Sequence, residues 1–75
     1  MDYTMTVQEK IEFMLIKRGK LSYSEVGRRL GVTGQTFGVK MKKQNYTVKD
    51  LEKIAGVLGY HVEINFIDDE SGEKI

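Results

Sequence analysis

One side of residues 34–43 combines an amide, an apolar group and two ammonium groups on a predicted helix. At about 100° per residue, this set points away from Phe37 and Met41: Gln35, Val39, Lys42 and Lys43, with Thr36 at the edge. A glutamine amide can pair with adenine N6 and N7, and a valine can touch a thymine methyl group. Lysines near the helix end suit phosphates. The face therefore predicts contact with duplex DNA, and the alternative is a face that is merely solvated.

The charge of the chain is divided unequally along its length. Residues 1–43 hold nine Lys and Arg against four Asp and Glu, a balance of +5, whereas residues 44–75 have a balance of −4. A basic half suits a polyanionic partner. The alternative is the uneven scatter of charge that small proteins show by chance.

Capping sequences and glycines predict the helices that would position these groups. The predicted caps, each with a hydroxyl for a free N–H, are Thr6, Ser22, Thr33 and Thr47. Glu9 and Glu25 complete capping boxes, whereas Asp50 after Thr47 has less reach. Gly19, Gly31 and Gly59 can take the left-handed conformation that ends helices. The predicted helices are therefore at about 7–18, 23–30, 34–43 and 48–58.

Apolar residues at helical spacing predict one modest core. Its expected members are Val7, Ile11, Met14, Leu15, Val26, Leu30, Phe37, Met41, Val48, Leu51, Ile54, Ala55 and Leu58, with Leu21 and Val32 in the connections. Gly27 is expected to allow close approach where helices 23–30 and 34–43 cross. The length predicts a single domain over residues 1–75, with a helical part at about 7–59 and a β tail at about 60–75.

After Gly59 the apolar period changes from 3.6 to 2, which predicts a half-buried strand. Residues 68–72 predict a turn, and residues 73–75 could return as a short second strand. One strand with two exposed edges is not stable alone, so the tail predicts a homodimer. The expected interface residues are Phe13, Ile16, Val62, Ile64 and Phe66. The alternative is an intrachain hairpin folded onto its own domain.

The stretch LSYSEVGRRLGVTGQTFGVKMKKQNYTVKDLEKIAGVLG, residues 21–59, has the sequence form of a helix-turn-helix. It resembles the Cro/cI-like (XRE-type) helix-turn-helix family, in particular small regulators of Gram-positive bacteria, phages and mobile elements. The resemblance covers about residues 7–59 and rests on Phe37, Asn45–Tyr46–Thr47, Leu51, Ile54, Ala55, Leu58 and Gly59. It implies a mainly α, four-helix domain with a C-terminal β-strand or short hairpin.

The resemblance also implies roles for individual residues. Residues 34–43 would be the recognition helix in the major groove, with base contacts from Gly34, Gln35, Thr36 and Val39. The phosphate contacts would be Lys17, Arg18, Ser22, Tyr23, Lys42 and Lys43. Relatives often carry a longer, base-reading side chain at the position of Gly34. Close packing against helix 23–30 is the alternative reason for a glycine there and at Gly38.

Other chemistries find little support in the residues. The chain has no cysteine, and its single histidine, His61, has no histidine neighbour. We therefore expect no metal, no cofactor, no small-molecule ligand and no enzymatic activity. No apolar run approaches the ~20 residues that span a bilayer. Acids at Asp2, Glu9 and Glu12 argue against a signal peptide, so a cytoplasmic location is expected.

The predicted function is sequence-specific binding of double-stranded DNA by a transcriptional regulator, with repression as the expected outcome. The alternative is a protein-interaction module, such as an antitoxin-like or anti-repressor partner. Such a module would keep the helix-turn-helix scaffold and lose the groove chemistry.

Overall fold

The computed structural model describes residues 4–75, so Asp2 and the first three positions of the predicted domain lie outside the described residues. The described chain is mainly helical and contains four helices: α1 Val7–Lys17, α2 Tyr23–Leu30, α3 Gly34–Lys43 and α4 Val48–Val57. Each helix begins after its predicted cap and ends within one residue of its predicted limit. The prediction of a mainly α chain with four helices is confirmed.

Reciprocal hydrogen bonds define the starts of α1 and α4. The Glu9 N–H donates to Thr6 Oγ1 at 3.1 Å, and the Thr6 N–H donates to Glu9 Oε1 at 2.8 Å. At α4, Thr47 and Asp50 make the same two bonds at 3.0 Å each. The shorter side chain of Asp50 therefore still reaches the Thr47 N–H and completes a capping box.

The start of α2 carries only half of its predicted capping box. The Glu25 N–H donates to Ser22 Oγ at 3.1 Å. The Glu25 carboxylate instead accepts from Arg28 and from Arg29 Nε, the latter at 2.9 Å. Two guanidinium groups on the same helix thus draw the carboxylate away from the N-cap.

The buried core consists of eight residues, all of them predicted: Ile11, Leu15, Val26, Phe37, Met41, Ile54, Ala55 and Leu58. Three other predicted members, Val7, Val32 and Val48, are instead 43%, 42% and 52% exposed. Val7 and Val48 are the first residues of their helices. Because helical side chains lean towards the N-terminus, those two project beyond the packed part. Val32 lies in the turn between α2 and α3, where it lines a surface cavity rather than filling the core.

The close approach of α2 and α3 rests on Gly27, which is buried. A Cβ at this position would lie 2.6 Å from the Thr33 carbonyl oxygen and 2.9 Å from the Gly34 nitrogen. Both atoms belong to the main chain and cannot rotate aside. The predicted role of Gly27 at the crossing of the two helices is confirmed, and this contact fixes α3 against α2.

The tail forms a minimal hairpin rather than a half-buried strand. Phe66 and Ile75 exchange two main-chain hydrogen bonds, of 2.9 and 2.8 Å. A single antiparallel bridge pairs Ile67 with Lys74. Residues 68–72 make the predicted turn, in which the Gly72 N–H donates to the Asp68 carbonyl at 2.8 Å. Within residues 4–75 no longer strand is present, so the predicted strand is not seen.

This hairpin is not folded onto the helices. Every residue from 63 to 75 is exposed, and Ile64 and Phe66 are 52% and 74% exposed. Val62 alone among the three alternating apolar residues is half-buried. The radius of gyration is 14.2 Å, whereas roughly 11 Å is expected for a compact chain of this length. The projecting tail accounts for the larger value.

The two glycines Gly27 and Gly56 give a matched test of the α2–α3 contact. We expect Gly27→Ala to lower the free energy of unfolding by about 1–3 kcal/mol, because a methyl group would overlap backbone atoms. A Cβ at the exposed Gly56 of α4 meets nothing within 4 Å. Gly56→Ala should therefore raise stability by about 0.5–1 kcal/mol. Urea unfolding followed by circular dichroism measures both, and equal effects would contradict the assignment.

Candidate nucleic-acid interface

Helix α3 presents one face to solvent. Its exposed members are Gln35, Thr36, Val39, Lys42 and Lys43, and Val39 is 46% exposed. Phe37 and Met41, on the other side, are 2% and 1% exposed. The side chains of Gln35, Lys42 and Lys43 make no hydrogen bond or ion pair with any residue in the described part of the chain. The amide and both ammonium groups are therefore available to an external partner.

The first turn of α3 is held by its own cap. The Thr36 N–H donates to Thr33 Oγ1 at 3.0 Å, and the Thr33 hydroxyl donates to Thr36 Oγ1 at 2.9 Å. These bonds orient the Thr36 side chain, while its own hydroxyl proton stays free for a further acceptor. Thr36 thus lies exposed at the start of the helix, beside Gln35.

Gly34 is explained by packing rather than by contact with a base. A Cβ at Gly34 would lie 2.7 Å from Ser24 Cα and 2.8 Å from Ser24 N. The missing side chain therefore points at α2, and only the main chain of Gly34 can reach a partner. At Gly38 the nearest atom would be a ring carbon of Tyr23, at 3.4 Å, which is an ordinary contact.

Tyr23 is held within the protein instead of facing outward. Its hydroxyl donates to Glu12 Oε1, and its ring meets Phe37 edge-on, with ring centroids 5.1 Å apart. Burial, together with the hydrogen bond to Glu12, raises the pKa of Tyr23 to about 12. The predicted phosphate contact of Tyr23 is not favoured by this geometry, because the phenol proton is already given to a carboxylate. Its neighbour Ser22 is exposed at the N-cap of α2.

Arg18 joins two helix ends. Its Nε donates to the Leu58 carbonyl at 2.7 Å, and its guanidinium lies over the ring of Tyr60, 4.4 Å from the centroid. The side chain is therefore used to hold the end of α1 against the end of α4. Lys17 lies 5.7 Å above the ring of Phe13. Arg18 therefore has a structural role that does not favour its predicted phosphate contact, whereas Lys17 is exposed and its ammonium group makes no ion pair in the described chain.

The arginines of α2 are also paired inside the chain. Glu25 bonds to both Arg28 and Arg29, and these hydrogen bonds lower the pKa of its carboxyl group to about 2. Arg29 also donates to the Val57 carbonyl at 3.1 Å, which links α2 to the last turn of α4. The single carboxylate of Glu25 thus offsets one of the two positive charges of α2.

Lys40 and Asp50 make an ion pair that sequence patterns did not reveal. The ammonium group and the carboxylate are 2.9 Å apart, and they connect α3 to α4. The two residues belong to different helices, so no periodicity relates them. Lys40 is consequently engaged, whereas Lys42 and Lys43 on the same helix are free.

The predicted dimer residues do not form one patch. A cavity of about 460 Å³ separates residues 61–65 from α1 and α4, and Val62 and Ile64 line it. Phe13 and Ile16, 51% and 57% exposed, do not line this cavity. They lie on the side of α1 that faces away from the core residues Ile11 and Leu15.

Nothing in residues 4–75 resembles a metal site, since no three His, Asp or Glu side chains come together in a suitable group. Over the same residues, no helix combines the length and the apolar character that crossing a membrane would require.

Comparison with known proteins identifies no relative. No family model matches the chain, and neither the curated proteins nor the solved structures contain a significant match. The class that the fold and the site define is a four-helix domain with an exposed, cationic third helix.

The Asp50 carboxylate gives a pH test of the two bonds that it makes, one to the Thr47 N–H at the start of α4 and one to Lys40 of α3. The Thr47 N–H and then Lys40 lower the pKa of Asp50 from its ordinary 3.8 to about 2. A carboxyl whose pKa is lower in the folded state stabilises the protein above the unfolded pKa, and that stabilisation is lost as pH falls. We expect wild type to lose more stability between about pH 4 and pH 2 than Asp50→Asn does.

Chemical unfolding at a series of pH values measures this difference. Glu52→Gln is the control, because Glu52 is exposed on the same helix and its side chain makes no hydrogen bond in the described chain. Its acid profile should run parallel to that of wild type. A profile for Asp50→Asn that also runs parallel would show that the bonds of the Asp50 carboxylate to Thr47 and Lys40 do not stabilise the fold.

Proposed function

We propose that this chain is a double-stranded DNA-binding transcriptional regulator of the Cro/cI-like helix-turn-helix type, acting in the cytoplasm as a repressor. In this proposal α3 lies in the major groove, and α2 crosses the backbone beside it. Gln35 contacts an adenine edge and Val39 contacts a thymine methyl group. Lys42 and Lys43 neutralise phosphates near the end of the helix.

The observation that carries the proposal is the outward face of α3. Val39 is half exposed on a side with no core to join, and it lies between an unbonded amide and two unbonded ammonium groups. On a face that contacts only water, the valine would contribute nothing to the stability of the fold. The floor of the DNA major groove carries both polar base edges and thymine methyl groups. A helix face that combines polar and apolar side chains therefore suits a duplex.

The distribution of paired and unpaired charge adds a second line of support. Glu25 and Asp50, the first acid before this face and the first acid after it along the chain, are bonded to Arg28, Arg29 and Lys40. Helix α3 itself contains no acid. A phosphate backbone approaching α3 therefore meets Lys42 and Lys43 without a competing carboxylate on the same helix.

The start of α2 can add main-chain contacts. Ser22 caps the helix through the Glu25 N–H, and other N–H groups of the first turn lack intrahelical partners, as in any α-helix. Such a terminus favours phosphate through its N–H groups and its dipole. Arg18 and Tyr23 are left out of the proposed interface, because their polar groups are bonded to Leu58 and Glu12.

A protein-interaction module is the second candidate, and one feature favours it. A cavity of about 170 Å³ opens beside α3, lined by Leu30, Val32, Thr36, Phe37, Lys40, Asp50, Lys53 and Ile54. Its lining is mostly apolar, and Val32 is 42% exposed there. A side chain of a partner protein could enter it without using the outward face of α3.

Binding to duplex DNA distinguishes the two candidates. The preferred duplex is selected from a random library with wild-type protein, and affinity is then measured by fluorescence anisotropy between about 50 and 200 mM salt. We expect Lys42→Ala to weaken binding of all duplexes and to reduce the salt slope by about 1. Gln35→Ala should relax preference at one base pair, at a cost of about 1–3 kcal/mol.

The matched control is Lys10→Ala, which removes the same charge from the side of α1 that lines the tail cavity. Its salt slope should equal that of wild type. Unchanged affinity in the double variant Gln35→Ala, Lys42→Ala would exclude α3 as the reading surface. No binding of any duplex at about 50 mM salt would favour the protein-interaction module.

A further inference from the structure

The cavity of about 170 Å³ beside α3 opens where the end of α2, the inner side of α3 and the middle of α4 meet. Its apolar lining consists of Leu30, Val32, Phe37 and Ile54. Phe37 and Ile54 are each 2% exposed and form the inner wall, whereas Val32 is 42% exposed and borders the opening. A cavity of about 150 Å³ with such a lining holds a benzene molecule. This cavity therefore has room for one six-membered ring.

The walls of this cavity are held in place without a ligand. The close contact at Gly27 fixes α3 against α2, and the ion pair of Lys40 with Asp50, at 2.9 Å, connects α3 to α4. The larger cavity of about 460 Å³ lacks such support, because residues 61–65 on one side of it make no main-chain hydrogen bond within the described chain. A preformed site loses less conformational entropy on binding, so the smaller cavity is the better ligand site.

The charged side chains around the cavity carry an excess of positive charge. Lys40 and Lys53 face the single carboxylate of Asp50, which leaves a net charge of +1. The Asp50 carboxylate already accepts from the Lys40 ammonium group at 2.9 Å and from the Thr47 N–H at 3.0 Å. The Lys53 ammonium group is exposed and makes no hydrogen bond or ion pair in the described chain. Among the lining residues, an anion therefore meets an unpaired cation and no unpaired acid.

We propose that this cavity binds a small apolar monocarboxylate, with its ring against Phe37 and Ile54 and its carboxylate paired with Lys53. Thr36 also lines the cavity, and its hydroxyl proton stays available because the Thr33 hydroxyl donates to Thr36 Oγ1. An ammonium group and a hydroxyl are both donors that a carboxylate accepts from. The lining comes from three helices and a turn, so no periodicity in the sequence reveals the site.

A ligand in this cavity would lie against α3 as well as α4, because Thr36 and Lys40 belong to α3. An anion beside Thr36 lies near the start of the helix that the proposed function places in the major groove. There the bound carboxylate repels phosphates and lowers the affinity for DNA. This effect on DNA binding rests on the proposed function, whereas binding of the carboxylate itself does not.

An NMR titration of the full chain, labelled with 15N, tests the site with sodium benzoate as the probe. We expect saturable shifts with a Kd of about 1 mM, largest at the amides of residues 30–37 and 50–54. Residues 61–65 are the internal comparison, because they line the larger cavity. Benzyl alcohol has the same ring without the charge, so it should bind at the same residues about fivefold more weakly.

Two lysine variants separate the proposed ion pair from general attraction to a cationic surface. Lys53→Met keeps a similar apolar stem and removes the ammonium group, so it should weaken benzoate binding about fivefold and leave benzyl alcohol unchanged. Lys49→Met is the matched control, because Lys49 is exposed on the same helix and does not line the cavity. It should bind both compounds as wild type does, and circular dichroism checks that both variants keep the helical fold.

Several results would overturn the proposal: no shifts at about 10 mM benzoate, largest shifts at residues 61–65, or equal weakening by Lys53→Met and Lys49→Met. Binding of an acetylated and amidated Phe-Asp dipeptide without binding of benzoate would also overturn it, and would indicate an acidic segment of a partner protein as the occupant. Fluorescence anisotropy with duplex DNA, with and without benzoate, measures the effect on α3. Benzoate binding by a protein that binds no duplex would leave this proposal intact and refute only the proposed function.

Discussion

The close approach of α2 and α3 is the constraint on which the rest of this small domain depends. A Cβ atom on Gly27 or on Gly34 would lie less than 3 Å from main-chain atoms of the facing segment. Because main-chain atoms cannot rotate aside, these two contacts restrict both the distance between α2 and α3 and the rotation of α3 about its own axis. That rotation buries Phe37 and Met41 and leaves the opposite face of α3 outward. The candidate interface is therefore a consequence of the two glycines.

The helices could be predicted from the sequence because their limits are set by local chemistry. A hydroxyl such as Thr33 caps the N–H groups next to it, and a glycine such as Gly31, with φ of 83°, ends the helix within the same few residues. The core was likewise predictable where apolar residues lie in the middle of a helix. At helix starts the pattern failed, since Val7 and Val48 keep the right period but are 43% and 52% exposed. Periodicity identifies the apolar face of a helix, but it does not show where along that face the packing against the neighbouring helix ends.

The candidate site was predictable only in part, because sequence shows which residues are basic and not what each one is bonded to. The ammonium groups of Lys42 and Lys43 are unpaired, whereas Arg18 donates to the Leu58 carbonyl and Lys40 pairs with Asp50. The last carbonyls of a helix lack partners within it and attract cations. Sequence alone could therefore predict that an arginine side chain binds the end of α4. Which arginine reaches it depends on how α1 crosses α4, and that crossing is decided by the core.

The separation of charge makes the net value of +1 a poor guide to what the chain can bind. The exposed tail carries most of the acids of residues 44–75, and the cavity beneath it is lined by α1 and α4 without any residue of α3. In a molecule 44 Å long, a screening length of about 10 Å at 0.1 M salt keeps distant charges from cancelling each other. A polyanion close to α3 would therefore be attracted by the lysines of that helix, whereas the acidic tail would repel it.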